Sequence, residues 1–548
     1  MNRMKLINLT WLFLFVVITI NAQTSQEIIK QRIESGENNK SISADGIILF
    51  SQIELPKIYR NSNYEVIWAD KKNRNDLIES LLKSEEEGLL PNDYHLERIS
   101  KILANTKYRK LKDSDAANLD MLLTDALMLY ASHLVSGKVE QSQLRSKWDV
   151  DINQRPKGID SLVSVTLKND NIKWAIQGLK PQHYFYLLMK QDLKTYKEIA
   201  RNGGWPKIPV IDKLEKGDKD KRIPIIRKYL EINKDLVSSK VDDISLFDDE
   251  LEVAVKKFQE RHNLTADGII GKGTLEQMNV SVEDRIDQIR INLERSRWVM
   301  HHPGDDFLMV NIAGFKVRRI KNKKEIFHSR VIVGKYHKST PIFKDSMQYI
   351  ILNPTWTLPY SIATSETLPK LKKDPGYLAA KHMIIMDRSG KVLDPNKINF
   401  HEYSAGNFPF TVRQKAGPWN ALGQVKFIFP NKNAIYLHDT PAKSLFKMQD
   451  RAFSHGCIRT EDKWGLLISL MDDPTVWNMD KINEILDSGE TTRIDLPKPI
   501  PIYLLYWTTG VDRKGKVYFI KDVYKRDPAV LKALNTSVKF RSVKQNSY

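Results

Sequence analysis

Across 548 residues the chain has one cysteine, Cys457, so an intramolecular disulfide is excluded. A lone thiol is either a small buried hydrophobe or a reactive group. Beyond the N-terminus no apolar run reaches the ~20 residues that a bilayer-spanning helix needs. There is no dense Lys/Arg block with interleaved aromatics, which argues against a nucleic-acid binder. Internal repeats and low-complexity tracts are absent. A metal site is not expected either. In "HHPGDD" the adjacent His301 and His302 would point apart on a strand, and the Pro-Gly centre between them and Asp305 and Asp306 reads as a turn. No cofactor is implied.

What is present describes a globular chain of several domains. Apolar residues make up 41% and charged residues 28%. The net charge of +19 favours anionic partners such as acidic lipid headgroups or a cell-wall polymer. The N-terminus carries Arg3 and Lys5, an apolar run from Leu6 to Ile20, then Asn21-Ala22-Gln23. This is the three-part shape of a secretory signal peptide over residues 1–22, with an uncleaved anchor as the alternative. The run is about 15 residues, short for a spanning helix, which favours cleavage after Ala22 and at most a peripheral membrane association. The mature chain is expected to be exported, to the periplasm or cell envelope. No cysteine follows the apolar run, so a lipidated N-terminal cysteine is excluded.

Residues 24–205 read as mainly helical. Leu119, Leu122, Leu123, Ala126, Leu127, Tyr130 and Leu134 recur at helical spacing, with Ser114 or Asp115 as N-cap and Gly137 as stop. His95, His133 and His183 are isolated and expected to be structural. After the linker "NGGWPKIP" comes a small three-helix unit at 218–280. Its core candidates are Ile226, Leu230, Leu251, Val255, Phe258 and Leu264, with a turn at Asp267-Gly268 and Thr274 capping the last helix. From 300 to 527 the period changes to two, with strands expected over 307–313, 315–320 and 325–333 and a closing hairpin after Pro497. A stretch at about 361–420, rich in Lys, Pro and Gly, interrupts these strands as a lid or binding element. Residues 528–548 are basic and polar and read as a loose tail.

The chemistry gathers in two short stretches. In "AIYLHDT" strict alternation sends Ile435 and Leu437 to a core, and Tyr436 and His438 to the opposite face. Nineteen residues after His438 stands Cys457, within "AFSHGCIRTED". A helix beginning near Thr460 as N-cap would bring a positive dipole end close to the thiol, with Trp464, Leu467, Ile468 and Met471 as its buried stripe. That dipole, His438, His455 and Arg459 would all favour thiolate over thiol. Gly456 lets the backbone approach closely, so N–H groups at Gly456 and Cys457 could form an oxyanion hole. Thiolate, imidazole base and backbone donors suit covalent acyl transfer, with a buried inert cysteine as the alternative.

His438, Ser454, His455, Gly456, Cys457 and Arg459 match position by position the signature of the bacterial L,D-transpeptidase catalytic domain, which the chain closely resembles. "RVIVGKYHKSTPIF", "ILNPTWTLP" and "GPWNALGQVKFIFPN", the last containing Trp419 and Asn420, resemble further parts of that domain. The long variant of the family carries a helical scaffold, which "DALMLYASHLVSGKV" resembles, and a peptidoglycan-binding domain, whose end "ADGIIGKGTLEQMN" resembles. The resemblance implies a multidomain α+β fold. Its parts are a helical scaffold, a three-helix peptidoglycan-binding domain and a mixed β-sandwich with an inserted lid. It implies a Cys457 nucleophile, His438 as proton carrier, Tyr436 and His455 beside them, and substrate contacts at Arg459, Ser454, Trp419 and Asn420. The implied reaction forms a thioester with a peptidoglycan stem tetrapeptide, releases D-alanine and makes a 3-3 cross-link to a second stem. Hydrolysis of the same acyl-enzyme and non-catalytic wall binding are the competing functions. Asp439 departs from the smaller hydroxyl residues common after the family's histidine.

Overall fold

The computed structural model of the chain describes residues 23–540 apart from 39, 105–106, 145–147, 150–170, 238–240, 302 and 513–514. The expected leader and residues 541–548 lie outside the described residues, as does His302. The N-terminal helical region is built around α1 (Asp113–Ser136). The expected stripe is buried, and so are Met121, Leu129 and Ala131, so neighbours cover α1 on every side. The helix starts earlier than expected. Lys112 occupies the cap position without a side-chain cap, and the Asp113 carboxylate accepts the Ser25 N–H and hydroxyl at 3.0 and 2.6 Å instead. Gly137 ends the helix at φ +81, where a Cβ would lie 2.5 Å from Glu294 Oε1 and from Trp298 Nε1. Only glycine allows that approach. Of the isolated histidines, His95 Nε2 bonds Asp125 at 2.7 Å and His133 Nδ1 bonds the Tyr94 hydroxyl at 3.1 Å.

The helix α2 (Tyr184–Arg201) follows in the chain but packs into a different core. Phe185, Tyr186, Met189 and Leu193 join the interior of the large sheet. The three-helix unit has α3 (Ile223–Ile232), α4 (Asp249–Arg261) and α5 (Lys272–Met278), closed around Ile226, Leu230, Leu251, Val255 and Phe258. Thr274 does not cap α5. Gly271 holds that position, while Thr274 is buried in the helix and receives a hydrogen bond from Gln259 Nε2 at 3.1 Å. Next comes α6 (Val282–Val299), which connects the parts. Its Glu294 takes the Val139 N–H and the Arg297 guanidinium, both at 2.6 Å. Arg297 also donates to the Glu87 carbonyl at 2.9 Å, and Arg295 pairs with Asp527 at 2.6 Å. Buried charges are tolerated because each finds such partners.

The strands β1 (Asp306–Asn311), β2 (Lys316–Lys321), β3 (Lys324–Gly334) and β4 (Ile342–Leu352) follow, with Asn322 and Lys323 turning at positive φ. The inserted unit has its own sheet of β5 (Trp356–Thr357), β6 (Met383–Met386), β7 (Val392–Leu393) and β8 (Thr411–Gln414). It also has its own core, from Leu358, Leu368, Leu371, Ile385, Phe400 and Val412. The main sheet resumes with β9 (Val425–Ile428), β10 (Leu437–His438), β11 (Ala452–Ser454) and β12 (Ile458–Thr460). After α7 (Lys463–Met471) it ends with β13 (Thr492–Leu505). Its order is β9-β10-β12-β3-β2-β1-β13-β4, followed by the short strand Trp148–Asp149 on β4 and with β11 paired to β3; β9 also pairs with β4, so the mixed sheet closes on itself around one core. The pairs β10–β12 and β13–β1 are parallel.

Two expectations at the C-terminus change. The hairpin is β14 (Thr509–Val511) with β15 (Val517–Phe519), whereas 492–505 pairs with β1 and β4. The tail is not loose as far as residue 540. The helix α8 (Asp527–Asn535) is followed by Val538, whose N–H donates to Asp93 at 2.9 Å, and by Phe540, whose ring lies 4.2 Å from that of His95. These contacts bury apolar side chains that would otherwise face water.

Burial holds His133 down to about 3 and His262 well below its ordinary value, aided by nearby Lys138 and Arg285 respectively. Unfolded, both titrate near 6.5. Below pH ~6.5 the unfolded chain therefore binds more protons, so stability is fully present above that pH and is lost as the pH falls toward 3. Each histidine can contribute up to about 1.4 kcal/mol per pH unit. Melting temperature is expected to fall between pH 7 and 4, and less steeply in His133→Gln. Equal slopes in wild type and variant would contradict the assignment.

Candidate active site

Register decides which side chains meet. In the parallel pair β10–β12, Leu437 stands beside Ile458 and His438 beside Arg459. Leu437 and Ile458 are fully buried in the core. Successive residues alternate faces, so Tyr436 and His438 on one strand and Cys457 and Arg459 on the other share the opposite face. The rings of Tyr436 and His438 are 5.6 Å apart. On the other flank, antiparallel β9 sets Lys426 beside His438, with its ammonium 3.8 Å from the Tyr436 ring centroid.

Each strand enters this arrangement through a tied loop. Before β10, Asn431 Nδ2 donates to the Phe429 and Ile435 carbonyls at 2.6 and 2.7 Å, and its oxygen accepts the Ile435 N–H. This sets Ala434 at φ +52 with its carbonyl 3.8 Å from Cys457 Sγ. Before β12, Gly456 sits at φ +126, which a side chain would strain. Its carbonyl accepts the Thr340 hydroxyl at 2.8 Å.

These ties reassign several expected residues. The Gly456 N–H donates to Ser454 Oγ at 3.1 Å, so it is not open as an oxyanion donor. Ser454 is buried and its hydroxyl donates to the Cys457 carbonyl, so it holds the loop rather than a ligand. Asn420 is also buried and serves its own turn, bonding the Lys415 carbonyl and the Leu422 N–H at 2.8 Å each. Trp419 is half exposed and stacks on His382 of the inserted unit. His455 turns away to Glu366 of that unit, at 2.6 Å. Arg459 stays at the site with its Nε unpartnered. Among the described residues no acceptor is paired with the Cys457 N–H.

His438 is fixed from behind. Its Nδ1 meets the Asp439 carbonyl at 2.5 Å, and since a carbonyl only accepts, Nδ1 carries the proton and Nε2 keeps its lone pair. The Asp439 carboxylate is occupied by Lys463 at 2.5 Å, the Gln424 N–H at 3.1 Å and Lys443. It anchors loops and is not a third proton carrier.

The electrostatics differ from the expected thiolate. Burial raises the Cys457 thiol above its ordinary value, against opposing pulls from the Tyr436 N–H and hydroxyl, Lys426 and Arg459. The helix dipole does not offset this. Thr460 belongs to β12, and α7 starts at Lys463 with Asp462 as its N-cap, beyond the first-turn reach of a dipole. The buried stripe of α7 is also shifted, to Leu466, Leu467, Leu470 and Met471. Burial and the Arg459 charge bring His438 down to about 3. Thiol and imidazole are therefore both neutral at rest. Lys426 was missed in the sequence, although its place between Val425 and Phe427 in "QVKFIF" marks the face opposite the core. Glu366 left no local signal. Among the described residues no cluster of His, Cys, Asp or Glu has metal-holding form.

Residues 305–485 match the family described as "L,D-transpeptidase catalytic domain". Residues 219–278 match a "Putative peptidoglycan binding domain", and 54–193 a "Scaffold domain". Over residues 305–485 the chain is thus similar to L,D-transpeptidase catalytic domains. It is 35% identical over 249 residues to a "Putative L,D-transpeptidase" of Haemophilus influenzae, a match covering 45% of this chain and 50% of that protein. The chain thus spans about half the length of the curated relative. An L,D-transpeptidase structure from Stackebrandtia nassauensis shares 14% identity over 53% of this chain and 97% of its own, at a TM-score of 0.21. Another from Xylanimonas cellulosilytica shares 10% over 54% and 99%, at 0.17. At those TM-scores neither bears on the fold.

A raised thiol pKa predicts that alkylation of Cys457 by iodoacetamide accelerates with pH and keeps accelerating beyond the ordinary thiol range. A rate that levels off below pH 7 would instead mark a resting thiolate.

Proposed function

We propose that the chain is a cysteine acyltransferase of cell-wall peptidoglycan. The Cys457 sulfur attacks the carbonyl of the third residue of a stem tetrapeptide. His438 Nε2 takes the thiol proton as the C–S bond forms and delivers it to the departing D-alanine amine. Because both groups rest neutral, attack and proton transfer proceed together. The developing oxyanion takes the Cys457 N–H. Arg459 receives a substrate carboxylate, and Tyr436 steadies the sulfur. An amine of a second stem then displaces the sulfur, leaving a 3-3 cross-link and a regenerated thiol. The cell envelope suits this reaction, as does the signal-like N-terminus. The three-helix unit holds the wall polymer near the site.

The observation that carries the reading is the shared face of Tyr436, His438, Cys457 and Arg459 set by the β10–β12 register. The domain matches to peptidoglycan binding and L,D-transpeptidase catalysis support the substrate class.

Purified protein incubated with tetrapeptide muropeptides is expected to release D-alanine and form cross-linked dimers. Cys457→Ala should do neither, and His438→Gln should be slower by about 10²- to 10⁴-fold. Tripeptide without dimer would make the enzyme a hydrolase, and an active Cys457→Ala would remove the nucleophile assignment. A carbapenem should add its mass to Cys457 in intact-protein mass spectrometry. An unmodified wild-type mass would count against an acyl-accepting thiol.

A further inference from the structure

Glu366 comes from the inserted unit, inside the irregular helical turn Ala363–Thr367. Wide π-type turns recur at functional positions. Its Oε1 accepts His455 Nε2 at 2.6 Å, two residues before the nucleophile in the chain. The same oxygen lies 3.8 Å from Lys338 Nζ. The Lys338 loop is itself bound to the cysteine loop, because Thr340 Oγ1 donates to the Gly456 carbonyl and accepts the Gly334 N–H. Three segments therefore meet at one carboxylate, tied to the Cys457 loop through His455. That carboxylate is half exposed, and its Oε2 has no partner among the described residues.

The charges around the sulfur give this position its meaning. Lys426 and Arg459 both act on Cys457, and burial has weakened the hydration of both. That surrounding suits an anionic donor end but repels a second substrate arriving as an ammonium. Glu366 is a carboxylate of the inserted unit that bonds the Cys457 loop at His455. The Asp439 carboxylate nearby is already held by Lys443 and Lys463. Lys338 already sets one ammonium near Glu366, at a separation too long for a hydrogen bond and half exposed, so an incoming amine can displace it.

We propose that Glu366 receives the ammonium group of the acceptor and so directs the acyl-enzyme toward an amine rather than water. This rests on the acyltransferase reading above. The bound ammonium loses one proton to solvent, and its free amine then attacks the thioester carbonyl. The C–N bond forms, the C–S bond breaks, and the amine's second proton passes through His438 to the Cys457 sulfur. Glu366 takes no part in acylation, which precedes acceptor binding.

The test uses the full chain with tetrapeptide muropeptides and reads two products: released D-alanine, and the ratio of dimer to tripeptide. Glu366→Gln keeps an oxygen for His455 but removes the charge. It is expected to release D-alanine at the wild-type rate with a dimer-to-tripeptide ratio lower by about tenfold. Glu366→Asp should recover part of that ratio. Added salt should lower the ratio in wild type and leave Glu366→Gln unchanged. An unaltered ratio in Glu366→Gln overturns the proposal. So does a loss of D-alanine release equal to the loss of dimer, which would mark a purely structural residue. A wild-type protein that releases no D-alanine defeats the acyltransferase reading itself and takes this proposal with it.

Discussion

The parallel pairing of Leu437–His438 with Ile458–Thr460 is the constraint from which the rest of the site follows. Each strand is short, and neither would hold its place alone. What fixes them is the burial of Leu437 and Ile458 in a core that the closed sheet completes. A slip of one residue would send those two side chains to solvent and turn the imidazole and thiol into the interior. Catalytic geometry and core packing are thus the same requirement. The tied loops at Asn431 and Ser454 hold the register from both sides.

Burial also sets the chemical state of the site. It raises the thiol, lowers the imidazole, and weakens the hydration of Lys426 and Arg459. A resting ion pair would be costly in such surroundings, so the two reacting groups stay neutral. In the proposed acyl transfer the cations face the place where negative charge would develop. On that proposal the groups suit the reaction's charged stage rather than the resting state.

Much of this was legible in the residues. Alternation in "AIYLHDT" placed Tyr436 and His438 together, and the strands after residue 306 followed from their period. The three-helix unit's core was readable for the same reason, since spacing reports which face is covered. Other features depended on partners remote in sequence. The amide of Gly456 was spoken for by a hydroxyl only two residues away, yet Ser454 could equally have faced a ligand. The thiol's environment required knowing what covers it, and Glu366 approaches His455 only after the inserted unit has folded. Thr460 looked like a helix cap because its side chain suits one, but β3 claimed it as a strand residue.

The segment from α8 to residue 540 is stitched to the helical region. Val538 bonds Asp93, Phe540 rests on His95, and the Leu534 carbonyl takes the Lys138 ammonium. The helical region is made before this segment, yet these contacts become available only once residue 540 has been synthesised. Until then its surface around Asp93 and His95 stays uncovered while the large sheet is still being assembled. The order of synthesis and the order of completion are therefore reversed at this point, and a chain arrested before residue 530 would carry an unfinished helical domain.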